Sequence, residues 1–190
     1  MNADHDRPRD PVHDTGDFVD RLAVVGERRD LRPGGVLCIE GDLGTDVYVV
    51  ESGELLASIG VVAGGVIERG TARDLRIATH PAGSLVGELS ALSGGQRSVT
   101  LMAGATGATV AVITRDQFAA FVDADPSAGA ELAERAREQM DRIRAAGLFS
   151  ALLGPTFVDL TPDMADRASW RHLAADEVLF REGDASDGIY

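Results

Sequence analysis

The chain has 190 residues, 44% of them apolar, and a formal net charge of −13. That is enough for one full domain with an ordinary core plus a remainder. So acidic a chain lacks the basic stripe that nucleic acid or an anionic lipid surface would need. The 18 basic residues are all arginine, as in chains from GC-rich bacteria. Cys38 is the only cysteine, which excludes a disulfide framework or a thiolate metal cluster. Its place in an apolar strand reads as a buried thiol. His5, His13, His80 and His172 are scattered without metal spacing. No apolar run approaches the ~20 residues of a membrane span. The charged N-terminus has no signal-peptide core. A soluble, cytoplasmic protein without membrane contact is therefore expected. Nothing forms a serine elbow, a metal triad or a cleaving carboxylate cluster, so no catalytic residue, metal or cofactor is expected and the chain reads as a non-enzyme.

Residues 1–16 read as a disordered, acidic lead-in. Phe18, Leu22 and Val25 recur at helical spacing and predict a short N-terminal helix ending near Gly26. Strands follow from Arg29, punctuated by Pro33-Gly34-Gly35. The stretch 37–53 reads as strand, tight turn at Gly41-Asp42, a second strand, and a stop at Gly53. A hairpin is expected over 61–74, then a strand over 75–79 leading to the turn Pro81-Ala82-Gly83. Residues 98–103 and 109–113 are expected as two closing strands separated by 104–107. Thr114 with Gln117 forms a capping box for a helix carrying Phe118 and Phe121. Asp125-Pro126 then caps a longer helix with Leu132, Ala136, Met140 and Ile143 on one face. Glu131 with Arg135, and Glu138 with Arg142, stand at i,i+4 on its outer surface, and Gly147 is the expected stop.

The chemistry concentrates in Val86-Gly87-Glu88-Leu89-Ser90, followed after six residues by Arg97-Ser98. Arg97 offers a planar fork of donors to phosphate oxygens. Glu88 can accept from a sugar hydroxyl, Gly87 lets the backbone approach a ligand, and Gly94 and Gly95 offer amide hydrogens. Ser98 adds a hydroxyl or amide donor. An ordinary surface ion pair between Glu88 and Arg97, contributing at most ~1 kcal/mol, is the plain alternative. Glu40 and Asp42 read as turn formers, since acids would repel a phosphate.

This block closely resembles the phosphate-binding cassette of the cyclic nucleotide-binding domain family, of the catabolite activator protein and protein kinase A regulatory subunit type. The stretch 37–53 is similar to that family's other motif, in the family's order and separation. The resemblance implies a mainly β fold: an antiparallel jelly-roll β-barrel with a short N-terminal helix and two C-terminal helices. It implies a regulatory module that binds a 3′,5′-cyclic nucleotide, cAMP or cGMP with cAMP favoured, through Val86, Gly87, Glu88, Leu89, Ser90, Arg97 and Ser98. The helix over 126–146 would close on the base and can pair with its twin in a homodimer. Two positions depart from the family's pattern. Ala91 replaces a larger aliphatic residue, and Val99 replaces alanine beside the phosphate. A valine facing the ligand there would overpack the pocket at a cost of ~1–3 kcal/mol.

Residues 169–190 align without gaps on 27–48, with eight of 22 positions identical. Such a match at a domain-length offset is an internal repeat. The expected organisation is a lead-in over 1–16, a cyclic nucleotide-binding domain over 17–147, and linker helices with the incomplete start of a second copy over 148–190. A second domain or an output domain is expected beyond Tyr190. A tandem entrance with Trp170-Arg171-His172-Leu173 resembles those preceding patatin-like phospholipases of the neuropathy-target-esterase type, so a regulatory portion of a larger esterase is one alternative. A degenerate module that binds protein and no nucleotide is the other.

Overall fold

A computed structural model describes residues 14–63, 66–68, 74–153, 161–171 and 173–185. Helix α1 (Asp14–Val25) leads into strands β1 (Glu27–Leu31), β2 (Val36–Cys38) and β3 (Val47–Ile59). A short hairpin, β4 (Val61–Ala63) with β5 (Val66–Glu68), precedes β6 (Leu75–Pro81) and β7 (Leu85–Val86). Helix α2 (Glu88–Ser93) separates these from β8 (Thr100–Ile113), after which α3 (Arg115–Ala124), α4 (Pro126–Leu153) and α5 (Thr161–Arg167) complete the chain. Of the lead-in expected over 1–16, residues 1–13 lie outside the described residues, and 14–16 already belong to α1, whose first turn starts earlier than the apolar spacing from Phe18 suggests. Residues 69–73 of the expected hairpin, 154–160 and 186–190 also lie outside the described residues.

Six strands form one antiparallel sheet in the order β1-β8-β3-β6, with β2 added on β8 and β7 on β3. The mainly β jelly-roll expectation holds, but the sheet is open: among the described residues β1 and β6 do not pair with each other to close a barrel. Its axis is the long β3–β8 pair, running from Val47 opposite Ile113 to Ser58 opposite Thr100. Gly53 was expected to end a strand and 104–107 to separate two. Instead β3 and β8 run straight through both places. The reason is local. Gly53 has φ 72° at a register shift, and a Cβ there would lie 2.2 Å from the Gly107 carbonyl oxygen. These glycines bend paired strands past each other and do not end them.

The helices cover the sheet in two groups. Phe18 and Leu22 of α1 are fully buried with Val47, Ile113, Phe118 and Leu132, and Phe18 meets Phe121 edge-on at 6.1 Å. Val25, expected on the same stripe, is exposed, because α1 ends there and Gln117 donates to its carbonyl from α3. The Thr114 capping box is present, and Asp125 caps α4 by accepting from the Ala128 amide. Helix α4 does not stop at Gly147. It continues to Leu153 with Ala145, Ala146 and Ser150 buried, and α5 packs on this extension through Ala165. A helical glycine costs only about 1 kcal/mol, which continued burial of one face offsets. Glu131 pairs with Arg135 at 2.6 Å as expected, but Arg142 bypasses Glu138 and reaches Asp166 of α5 at 2.6 Å.

Beyond α5 the described residues hold no strand, and Trp170, Leu173, Val178 and Phe180 are exposed. Two turns nevertheless repeat. Gly35 donates to Arg32 O at 2.8 Å with Gly34 at φ 69°, and Glu177 donates to Ala174 O at 3.1 Å with Asp176 at φ 66°. Asp42 donates to Ile39 O with Gly41 at φ 86°, and Asp184 donates to Arg181 O with Gly183 at φ 93°.

Gly53→Ala should lower the unfolding free energy by ~2 kcal/mol or more, since left-handed backbone alone costs an L-residue ~1–2 kcal/mol and the Gly107 carbonyl must also move. Urea denaturation reads this directly. An unchanged midpoint would mean that the bend can be made with ordinary backbone angles.

Candidate functional site

The two motifs seen in the sequence meet in space. Gly41 donates to Arg97 O at 2.7 Å, the Arg97 amide donates to Asp42 O at 2.9 Å, and Gly44 donates to Gly95 O at 2.7 Å. The tight turn after β2 is thereby laced to the segment that carries Arg97. Glu40 and Asp42 serve this lacing, as their reading as turn formers implies. The Glu40 carboxylate accepts from the Gly60 amide, and its own amide donates to Thr100 Oγ1.

On the other side, Val86 pairs with Tyr48 across β7 and β3, which fixes where the cassette begins. Gly87 follows at φ 88°, and a Cβ on it would fall 2.9 Å from Asp46 O and 3.0 Å from Arg97 Nη1. Only glycine fits this approach. The cassette then forms the turn-and-a-half helix α2 between left-handed glycines at 87 and 94.

Arg97 is buried, only 6% exposed. Its Nη1 donates to Asp46 O at 2.8 Å and to Ser90 Oγ at 2.7 Å, while Nη2 donates to Tyr48 Oη at 3.0 Å. Ser90 Oγ in turn donates to Gly87 O at 2.9 Å. The guanidinium also lies 5.2 Å from the Tyr48 ring centroid. Of its five N–H groups, three are engaged in these bonds and two have no partner among the described residues. No carboxylate among the described residues forms an ion pair with it, so the surface Glu88–Arg97 pair is absent.

Glu88 is also 6% exposed, and its Oε2 has no hydrogen-bond partner among the described residues. Burial pushes its carboxyl up to about 7, against a smaller pull from its own amide. The site thus holds a buried cation and a buried acid that do not neutralise each other.

All seven residues singled out from the sequence line one small chamber of about 20 Å³: Val86, Gly87, Glu88, Leu89, Ser90, Arg97 and Ser98. Cys38, His80, Val99, Leu101 and Gln139 complete it. A second chamber of about 280 Å³ lies between the sheet and the helices, with Ala57 and Ile77 on one wall and Gln139, Ile143 and Ala146 of α4 on the other. His80, Val99 and Gln139 line both chambers. Sequence reasoning missed His80 and Gln139, which sit on β6 and α4 outside any motif. Burial raises the Cys38 thiol, with Arg97 opposing, and Sγ contacts Val99 O at 3.9 Å, as suits a structural thiol. Burial alone lowers the His80 imidazole.

The profile of the cyclic nucleotide-binding domain family matches residues 28–125. The chain belongs to the cyclic nucleotide-binding domain family. Among solved structures it is similar to the regulatory domain of Toxoplasma gondii protein kinase A, solved with cAMP, at 20% identity and TM-score 0.53 over 65% of this chain and 46% of that one. The chain thus spans about half the length of that domain. It is also similar to the Thermus thermophilus catabolite activator protein at 22% identity and TM-score 0.50, over 80% of each chain. At these identities the likeness is one of fold. No curated protein matches the sequence.

The raised Glu88 carboxyl has a definite sign. Between the ordinary value of 4.5 and about 7 the folded protein keeps a proton that the unfolded chain has released. Stability therefore falls as pH rises through that window and levels off above it. Glu88→Gln should remove this fall and stabilise the empty protein at pH 8 by up to about 3 kcal/mol. Urea denaturation at pH 5 and pH 8 tests it, and an equal fall in the variant would place the linkage elsewhere.

Proposed function

We propose that this domain binds a 3′,5′-cyclic nucleotide, with cAMP favoured, as a non-catalytic regulatory switch. The observation that carries the reading is the buried Arg97 guanidinium, which among the described residues has no carboxylate counter-ion and retains two unclaimed N–H groups beside a small chamber. Such a cation favours an anion of phosphate chemistry. Glu88 would accept from a ribose hydroxyl, Ser98 and the cassette amides would add donors, and the apolar chamber under α4 would hold the base. The two chambers together reach the lower edge of the roughly 300–1,000 Å³ typical of small-molecule sites.

The phosphate chamber, at about 20 Å³, has room for roughly one water. A cyclic phosphate requires the cassette to open around Arg97. Because α4 walls both chambers through Gln139, that opening and the seating of the base would re-position α4 and the α5 packed on it. A ligand achieves this only by binding the rearranged state better. Residues 148–190 are read as linker and the start of a second such domain, supported by the two turns that recur at the repeat offset. An esterase output beyond Tyr190 stays the alternative for the larger protein. The helix over 126–146 is the proposed homodimer surface, as the family resemblance implies. Among the described residues no helix is long and apolar enough to cross a membrane.

Titration calorimetry with cAMP and cGMP tests the reading. Arg97→Lys should weaken binding because a point charge cannot replace the planar fork. Arg97→Leu should cost about 2–5 kcal/mol of affinity, with circular dichroism needed because Asp46, Tyr48 and Ser90 also lose a partner. Equal binding by wild type and Arg97→Leu would remove the cassette assignment. A wild type that gives no heat with either nucleotide would favour the degenerate module.

Val99 is buried and lines both chambers. Val99→Ala should therefore strengthen nucleotide binding, by ~1 kcal/mol or more. A dissociation constant that is unchanged or weaker would mean that Val99 serves sheet packing alone.

A further inference from the structure

The wall of the larger chamber is not complete without α5. The sheet supplies one side through Ala57 and Val99 and α4 another through Ile143, while Ala165 and Asp166 of α5 line the same space. Helix α5 lies beyond residues 28–125, the part of the chain that the family profile matches. Ala165 is buried in one apolar cluster with Ala57, Val99 and Ala146. Asp166 accepts from Nε of Arg142 at 2.8 Å and lies 2.6 Å from its Nη2, a two-pronged clasp between α5 and α4. Arg142 lines the chamber too. With α5 in place the chamber still measures about 280 Å³, so the helix bounds the space without filling it.

We infer that α5 is a wall of the nucleotide site, and that a base seated against Ala165 holds the helix in place. This rests on the cyclic nucleotide reading and extends the site past α4 to the segment that follows it. A helix of seven residues does not persist alone, since isolated helices shorter than roughly 12–15 residues are marginal in water. Its place depends on what it packs against. Ala165 supplies a buried contact and Arg142 the clasp, and beyond the helix the Trp170 indole donates to Asp141 O of α4 at 3.3 Å. The clasp side chains are 61% and 53% exposed, and water screens such a pair so that it contributes little. Helix α5 is therefore lightly held in the empty protein. A flat base in the chamber adds packed contacts on the chamber side of Ala165. By reciprocity, a closed α5 tightens the nucleotide by the same factor with which the nucleotide favours a closed α5. The chain runs on from α5 through Trp170 into the repeated turns, so occupancy of the chamber is passed to that segment through α5.

The test is amide hydrogen exchange of the full chain, read by mass spectrometry with and without saturating cAMP, alongside calorimetric affinities of three variants. Exchange across 161–167 should slow by about fivefold or more on binding. Ala165→Leu extends a side chain into the chamber. It should lower cAMP affinity by about tenfold or more, while the urea midpoint of the empty protein holds or rises. Asp166→Asn keeps the shape of the side chain and removes its charge, and should weaken binding by about two- to fivefold. Arg142→Gln should cost the same, and the double variant no more than either alone, because both break one clasp. If cAMP binds while α5 exchanges as fast as before or faster, or if Ala165→Leu folds and binds like wild type, α5 is no part of the site and the nucleotide reading stands. If Ala165→Leu fails to fold, Asp166→Asn decides, and wild-type affinity in that variant overturns the inference. If no cyclic nucleotide binds, both fall together.

Discussion

The burial of the Arg97 guanidinium is the constraint around which the site is built. Taking such a charge out of water costs several kcal/mol unless dipoles or counter-charges replace the solvent. Here the replacement comes from three separate segments: the Asp46 carbonyl before β3, the Tyr48 hydroxyl and ring on β3, and the Ser90 hydroxyl on α2. The main chain of Arg97 is tied independently to Gly41 and Asp42. One side chain thus fixes the relation of the first turn, the start of β3 and the cassette helix. Every partner is a neutral dipole, and no carboxylate completes the charge balance among the described residues. The arrangement is stable enough to exist empty and still electrostatically incomplete, which is what a site for an anion requires.

Glu88 poses the opposite problem beside it. A carboxylate in that buried position with one oxygen unpartnered would be strongly disfavoured, and burial answers by holding the proton to about 7. Pairing it with Arg97 would have solved both problems at once, and the structure does not do so. Gly87 keeps the acid at the first residue of α2 while Ser90 of the same helix captures the guanidinium. Glu88 of α2 and the Arg97 guanidinium held by its Ser90 therefore line one chamber as two incompletely satisfied groups of unlike character.

The legible parts of this chain were those in which a local backbone demand dictates a residue type. Gly41, Gly87 and Gly94 stand at positive φ in turns or caps, and the motifs built on them placed all seven candidate residues in one chamber. The same rule misled at Gly53, at 104–107 and at Gly147. A glycine in a bulge between two long paired strands, or in a helix packed along one face, looks in sequence like a glycine that ends an element. Only the partner strand or the packed α5 distinguishes them. The choice of Asp166 over Glu138 by Arg142 is tertiary in the same sense. His80 and Gln139 carried no local signal because their role arises only where β6 and α4 face each other.

The repeated turns have a consequence for how the chain reaches this fold. The segment after α5 makes the same two turns as the segment after α1, yet its described residues form no strand, so turn chemistry alone forms these bends and pairing needs a waiting partner. Closure entropy grows too slowly with loop length to choose between these two segments as a partner for β8. Side chains make the choice. On β1, Asp30 accepts from Thr109 of β8, and Arg28 clasps Glu51 of β3. At the matching places the later segment carries His172 and Trp170, so it has neither the carboxylate nor the guanidinium. These two contacts thus favour β1 over the later segment as the edge strand beside β8.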